Sequence, residues 1–118
     1  HKWFYFFDAE NTIPDSIVGI VAGMLYGSGT IGFDKAIIAF SRYEDGSIKA
    51  SGRATMELVR NGLNLGKAFR EICDELGEGN EGGGHAIAAG LKLELKNREL
   101  FLELLDEKIA KQLGSSTQ

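Results

Sequence analysis

The sequence predicts an α/β domain, a mixed β-sheet with helices packed on it in the order β-α-β-β-α-(Gly loop)-β-α. Three observations carry that prediction. An aromatic run opens the chain, an Asp-Gly turn separates two alternating segments, and other segments place apolar residues at i, i+3, i+4 and i+7. With 118 residues, 43% of them hydrophobic, the chain can build a single core. Residues 1–113 read as one domain and 114–118 as a frayed tail. Neither an internal repeat nor an inter-domain linker is visible.

Trp3-Phe4-Tyr5-Phe6-Phe7, bounded by Asp8, is a continuous apolar run that suits a buried strand at the centre of the sheet. Pro14 favours a helix start, and Ile17, Ile20, Val21, Met24 and Leu25 keep helical spacing until Gly27-Ser28-Gly29. Residues 35–42 and 47–55 are strand-like and flank Tyr43-Glu44-Asp45-Gly46, where Asp-Gly signals a hairpin. In the second of these strands, two-residue alternation puts Ile48, Ala50, Gly52 and Ala54 on one face. Lys49, Ser51, Arg53 and Thr55 then form a polar row on the other. Leu65, Ala68, Phe69, Ile72, Cys73 and Leu76 define the clearest helix, with Asn64 as N-cap and Gly77 as stop. Leu91, Leu93 and Leu95 alternate with Lys92, Glu94 and Lys96 in a half-exposed strand. Asn97 then caps a final helix whose apolar stripe is Leu100, Phe101, Leu104, Leu105, Ile109 and Leu113.

Thirteen Lys and Arg against seventeen Asp and Glu leave a net charge of −4. Such a chain does not coat nucleic acid by bulk positive potential, although a local phosphate site remains open to it. No apolar stretch approaches the roughly 20 residues of a membrane span and no basic-then-apolar leader opens the chain, so the expectation is a soluble, cytoplasmic domain with no membrane partner. Because it opens on His1 and enters strand-like sequence at Trp3, the chain reads as a domain excised from a longer one. The lone Cys73 cannot form an intrachain disulfide and reads as a small buried residue.

The segment richest in chemistry is Gly82-Gly83-Gly84-His85-Ala86-Ile87-Ala88-Ala89-Gly90. Consecutive glycines let successive backbone N–H groups converge in a nest suited to phosphate or carboxylate. The run joins a well-patterned helix to a core strand, which separates it from a flexible spacer. Alone, His85 would be a loop histidine bonded to backbone; beside the glycines it reads as a ligand contact. Arg53, between Ser51 and Thr55, is either a solvated strand arginine or part of a phosphate-facing row, since guanidinium geometry suits phosphate oxygens. One internal histidine and one cysteine do not make a metal cluster. Asp8 and Glu10 read as structural carboxylates rather than ligands of a hard cation. No catalytic residue is assigned, because a single histidine would have to serve every proton-transfer role.

The glycine-histidine segment resembles the Gly-Gly-Gly-His-x-x-Ala-Ala-Gly signature of the DHH-associated C-terminal domain of DHH-superfamily phosphoesterases. Residues 48–55, Ile-Lys-Ala-Ser-Gly-Arg-Ala-Thr, are similar to that family's Ser-x-Arg-Ser/Thr strand, and residues 13–19 look most like archaeal RecJ-like single-strand nucleases. The similarity covers nearly the whole chain, and its sharp motif is the glycine-histidine one. In that family an N-terminal domain carries the Asp-His-His motif and a metal pair, Mn²⁺ or Mg²⁺, while the associated domain closes over the cleft. The resemblance therefore implies that Arg53 and His85 contact a phosphate of single-stranded DNA or RNA. It also implies that Gly82, Gly83 and Gly84 donate backbone N–H groups and that Ser51 and Thr55 support them. Glu78 and Glu81 depart from this picture by setting negative charge beside the glycines. Implied partners are the N-terminal DHH domain and replication or repair proteins. Two alternatives share the turn: a phosphoesterase of short oligoribonucleotides, cyclic dinucleotides or polyphosphate, and a tRNA-binding or replication-complex assembly module.

Overall fold

The computed structural model describes residues 3–9, 21, 23–29, 35–77 and 83–114. The expected helix start at Pro14, with Ile17 and Ile20, lies outside the described residues, as do Glu10, Glu78, Glu81, Gly82 and residues 115–118. Residues 21 and 23–27 are helical, and the chain turns at Ser28 and Gly29, where Gly29 takes φ 75°.

Among the described residues five strands form one mixed sheet: β1 (Phe4–Asp8), β2 (Ala36–Arg42), β3 (Ile48–Arg53), β4 (Gly83–His85) and β5 (Ala88–Leu93). Their spatial order is β1-β2-β3-β5-β4. β1 runs parallel to β2, and every other neighbouring pair is antiparallel. The Asp-Gly hairpin between β2 and β3 forms as the sequence predicts. Gly46 takes φ 89°, and Asp45 Oδ1 accepts from the Ser47 amide at 2.9 Å and from its hydroxyl at 2.6 Å. Those bonds, led by the hydroxyl, hold the Asp45 carboxyl down to about 2.

The aromatic run corrects the expectation of a central strand, since β1 stands at the end of the sheet order. Apolar content reports how a strand's faces are covered and says nothing of its edges. Phe4 is fully buried, Tyr5, Phe6 and Phe7 are half-buried, and Phe6 meets Phe40 edge-on at 4.8 Å.

Besides the helical residues 21 and 23–27, the described fold has α1 (Met56–Arg60), α2 (Leu65–Leu76) and α3 (Arg98–Gly114), the last entered through a 3₁₀ turn at Leu95–Asn97. Helix α1 and the strand β4 are additions to the predicted order. α2 starts and stops as its sequence predicts, with Asn64 accepting from the Lys67 amide at 3.0 Å and Gly77 left-handed at φ 66°. Asn97 lies in the 3₁₀ turn that leads into α3, and the helix continues through Gly114, one residue into the expected tail. Leu100 is exposed while Leu102 is buried, so the stripe of α3 sits slightly rotated from the predicted one.

α2 and α3 cover one face of the sheet. Phe69, Ile72, Phe101 and Leu105 pack with Ile38, Phe40, Ile48 and Leu91, and Phe101 meets Phe69 edge-on at 5.5 Å. Gly52 lets this layer close, because a Cβ there would stand 3.1 Å from Phe69 and 3.2 Å from both Ile38 and Leu65. Cys73 is buried in the same core. Lys108 ties the helices together, 3.2 Å from Glu75 and 3.6 Å from Glu71. At the rim, the Asp8 carboxylate is held by Arg42 at 3.0 and 3.1 Å and by Arg98 at 3.0 and 3.2 Å. Burial opposes the Arg98 charge, yet the Asp8 and Glu99 carboxylates outweigh it and raise that guanidinium above its ordinary value. Asp8 is therefore structural.

Candidate functional site

On the face of β3 turned away from α2 and α3, the alternation of an extended chain places Lys49, Ser51 and Arg53 in a row. Antiparallel register sets Ala88 and Gly90 of β5 beside Arg53 and Ser51, and sets Gly83 and His85 of β4 beside Gly90 and Ala88. Arg53, Ala88 and His85 thus form one cross-strand row, with Arg53 and His85 two strand spacings, or about 10 Å, apart at the backbone. Only a methyl group stands between them. Lys49, Ser51, Arg53, Gly83, Gly84, Ala88, Ala89 and Gly90 line an open cavity of about 210 Å³. Five of those eight residues are glycine or alanine, so the floor is low and the cations form its walls.

The structure therefore brings Ser51, Arg53, Gly83 and Gly84 together, and places His85 exposed at the rim, outside the lining. Thr55 is corrected: β3 ends at Arg53, and the Thr55 hydroxyl caps α1 by accepting from the Leu58 amide at 3.2 Å. The polar row of β3 is one member shorter than alternation alone predicts, because a helix N-terminus claims Thr55.

The glycines also act differently from expectation. A nest needs neighbouring residues of opposite backbone sense, whereas Gly83 and Gly84 have φ of 137° and 143° in a short edge strand. That region is open to glycine alone. Their use is close approach: a Cβ on Gly84 would stand 2.6 Å from the Ala88 carbonyl oxygen, and one on Gly66 would stand 2.6 Å from the Gly84 carbonyl oxygen. The first turn of α2 thus lies directly on β4.

Backbone bonds hold the hairpin that carries His85. The Ala86 carbonyl accepts from the Leu65 amide at 3.1 Å, and the Ile87 carbonyl accepts from the Ala54 amide at 2.9 Å. Tyr26 donates its hydroxyl to the Lys35 carbonyl at 2.6 Å, with the Arg53 carbonyl at 3.4 Å, so the ends of β2 and β3 share one anchor. Arg53 itself donates to the Gly52 carbonyl at 3.0 Å and meets no carboxylate among the described residues.

Three residues of this region escape sequence reasoning as site members. Lys49 reaches over the floor, its ammonium 3.1 Å from where a Cβ on Gly90 would stand. Arg70 of α2 lies 3.5 Å from the corresponding point on Gly83. Gly66 is the residue whose missing side chain lets α2 meet β4. Its signal was present in the sequence, a glycine inside the first turn of an otherwise strong helix. Among the described residues no group of three His, Cys, Asp or Glu could hold a metal ion, and no helix is long and apolar enough to cross a membrane.

A mixed sheet with helices packed on it, a Ser-x-Arg strand and a Gly-Gly-His edge define the class, and comparison fixes it: the DHHA1 domain family matches residues 4–111, and the chain belongs to that family. Its particular relatives are instructive. It is 34% identical over 109 residues to an uncharacterized protein of Methanocaldococcus jannaschii, covering 92% of this chain and 22% of that protein. It is 34% identical over 102 residues to the single-stranded-DNA-specific exonuclease RecJ of Escherichia coli, covering 85% of this chain and 16% of that protein. The chain thus spans less than a quarter of the length of either curated relative. The C-Ala domain of Aquifex aeolicus alanyl-tRNA synthetase shares the fold at a TM-score of 0.64 and 16% identity, with 93% of this chain and 90% of that one covered.

Proposed function

We propose that this domain grips the phosphates of single-stranded DNA or RNA for a metal-dependent DHH-superfamily phosphodiesterase, an exonuclease of the RecJ kind. The observation that carries the reading is the row of Arg53, Ala88 and His85 beside the glycine edge strand, in which the guanidinium meets no carboxylate among the described residues. A guanidinium offers paired N–H donors to a phosphate, and an imidazole within reach of the same anion adds a second donor. Ser51 supplies a hydroxyl at the floor. Gly83 and Gly84, with Gly82 carried over from the family signature, let the phosphate come close to the backbone.

The domain's part in catalysis is positioning and charge stabilisation of a phosphodiester held for attack elsewhere. The described residues offer no ligand set for the family's Mn²⁺ or Mg²⁺ pair. In this reading that pair and the bond-breaking step belong to an N-terminal DHH domain of the same cytoplasmic protein, a natural partner of replication or repair proteins. The test is titration with a labelled short single-stranded oligonucleotide at low salt, comparing wild type with Arg53→Ala and His85→Ala. Both substitutions are expected to weaken binding by roughly tenfold, the value of a lost charge-assisted contact. Wild-type affinity in both variants would overturn the reading.

A second reading draws on the fold shared with the alanyl-tRNA synthetase C-Ala domain: a tRNA-binding or assembly module. Preference for a folded tRNA over a single strand would favour it. A short-substrate phosphoesterase would instead keep full activity on dinucleotides.

A further inference from the structure

We infer that Arg70 of α2 is a phosphate ligand at the β4 end of the groove, where it takes the phosphodiester next to the one held by Arg53 and His85. The inference rests on the phosphate reading of that first contact and adds a residue from a helix that lines no part of the cavity. The close approach of α2 to β4 puts the guanidinium there. Gly66 and Arg70 are four residues apart, so they share one face of the helix. Gly66 lies against the Gly84 carbonyl, and Arg70, a turn later, reaches Gly83: its Nη2 lies 3.5 Å and its Nε 3.6 Å from the point a Cβ on Gly83 would occupy. Those two nitrogens form one edge of the guanidinium, an edge that offers parallel N–H donors to an oxyanion. Gly83 also lines the cavity, together with Ser51 and Arg53. The missing side chain at position 83 therefore leaves a gap between the groove and the guanidinium, which any substituent would fill.

The helix sorts its charges between two faces. Glu71, Asp74 and Glu75 line the cleft toward α3, where Lys108 pairs with Glu71 at 3.6 Å and with Glu75 at 3.2 Å. Arg70 is exposed on the β4 side, and among the described residues it forms no ion pair or hydrogen bond. Asp74 follows four residues on, but a cation N-terminal to its carboxylate is the weaker order for such a pair, and Asp74 belongs to the cleft with α3. Along β4, Gly83 stands two residues from His85, about 6.7 Å in an extended chain. It belongs to the cross-strand row of Ser51 and Gly90, next to the row of Arg53, Ala88 and His85. That step is of the same order as the separation of adjacent phosphates in an extended single strand. The ligand class is therefore an oligonucleotide with at least two phosphodiesters, held at the first by Arg53 and His85 and at the second by Arg70.

The experiment compares two probes on the protein: a dinucleoside monophosphate, with one phosphodiester, and a trinucleoside diphosphate, with two. Arg70→Gln is expected to weaken the two-phosphate probe by roughly three- to tenfold, to leave the one-phosphate probe unchanged and to keep the urea midpoint where it is. The salt dependence of the longer probe should fall by about 0.7 in logarithmic slope, one phosphate contact on a single strand. Arg70→Lys should keep the wild-type slope and recover only part of the affinity, because an ammonium carries the charge without the paired donors. Arg53→Ala and His85→Ala should weaken both probes. If Arg70→Gln weakens both probes equally, or neither, while Arg53→Ala weakens both, the role of Arg70 is overturned and the first contact stands. A lowered urea midpoint with loss of both probes would make Arg70 a structural residue and overturn its role as a ligand. If none of the three variants changes binding, the phosphate reading fails and the Arg70 contact fails with it.

Discussion

At the helix-covered rim of the sheet, Arg42 and Arg98 close on one carboxylate, Asp8, whereas across the sheet Arg53 ends on its own strand's carbonyl beside an open groove. Side-chain exposure at the rim is 17% and 28% for the two arginines and 9% for Asp8, so that cluster is committed to the fold. Arg98 also lies 5.5 Å from the Phe6 ring and 5.7 Å from the Phe40 ring. One residue type thus serves two ends, and its partners decide which. A guanidinium paired with a carboxylate is committed to the architecture, while Arg53, on a glycine-floored face, meets no carboxylate among the described residues.

The sharpest way to break this contrast is at Asp8. Removing its carboxylate leaves two half-buried guanidiniums facing each other, so Asp8→Ala is expected to lower unfolding free energy by about 2–4 kcal/mol in urea denaturation. Arg53→Ala should change it by less than about 0.5 kcal/mol. Adding Arg98→Met to Asp8→Ala should recover part of the loss. Equal destabilisation by the Asp8 and Arg53 substitutions would erase the distinction between the two regions.

Gly66 gives the next largest effect and sharpens the groove side of the comparison. A Cβ there would stand 2.6 Å from the Gly84 oxygen and 2.8 Å from its carbonyl carbon, both backbone atoms that cannot rotate aside. Gly66→Ala should cost about 1–3 kcal/mol and displace β4, so oligonucleotide binding falls together with stability. A fully stable Gly66→Ala variant would show that α2 and β4 are not rigidly coupled.

The smallest effect belongs to Asp45, exposed in the β2–β3 turn, where it bonds Ser47 and Lys92. Its carboxyl is depressed to about 2 in the fold, so its contribution is present above the ordinary carboxylate range and is lost as pH falls through about 2. Thermal unfolding of wild type and Asp45→Ala should therefore differ near neutrality and converge at the acid end. A difference that persists at the lowest pH would assign Asp45 a role other than its bonds to Ser47.

Local signals in the sequence predicted the local structure well. Asn64 and Gly77 bound α2 because capping is decided within a few residues, and Asp45-Gly46 sets the hairpin for the same reason. The Ser51–Arg53 face follows from simple alternation. What stayed hidden is non-local. Alternation says which face Arg53 shares with Ser51 but cannot say that a third strand brings His85 alongside. Nothing in the aromatic run distinguishes an edge strand from a central one. Thr55 leaves the row that alternation predicts because Ser-Gly-Arg-Ala-Thr continues an alternating pattern past the end of β3, where the Leu58 amide takes the Thr55 hydroxyl as its cap.

The place of β5 in the sheet has a consequence for how this protein is made. Arg53 on β3 and His85 on β4 become neighbours only because β5 lies between them, and β5 is later in the chain than both. A ribosome that has released residues 48–85 has produced both walls of the groove and no groove. The groove arises when the local β4–β5 hairpin docks on β3, and that β3–β5 pairing is of the long-range kind that folds slowly.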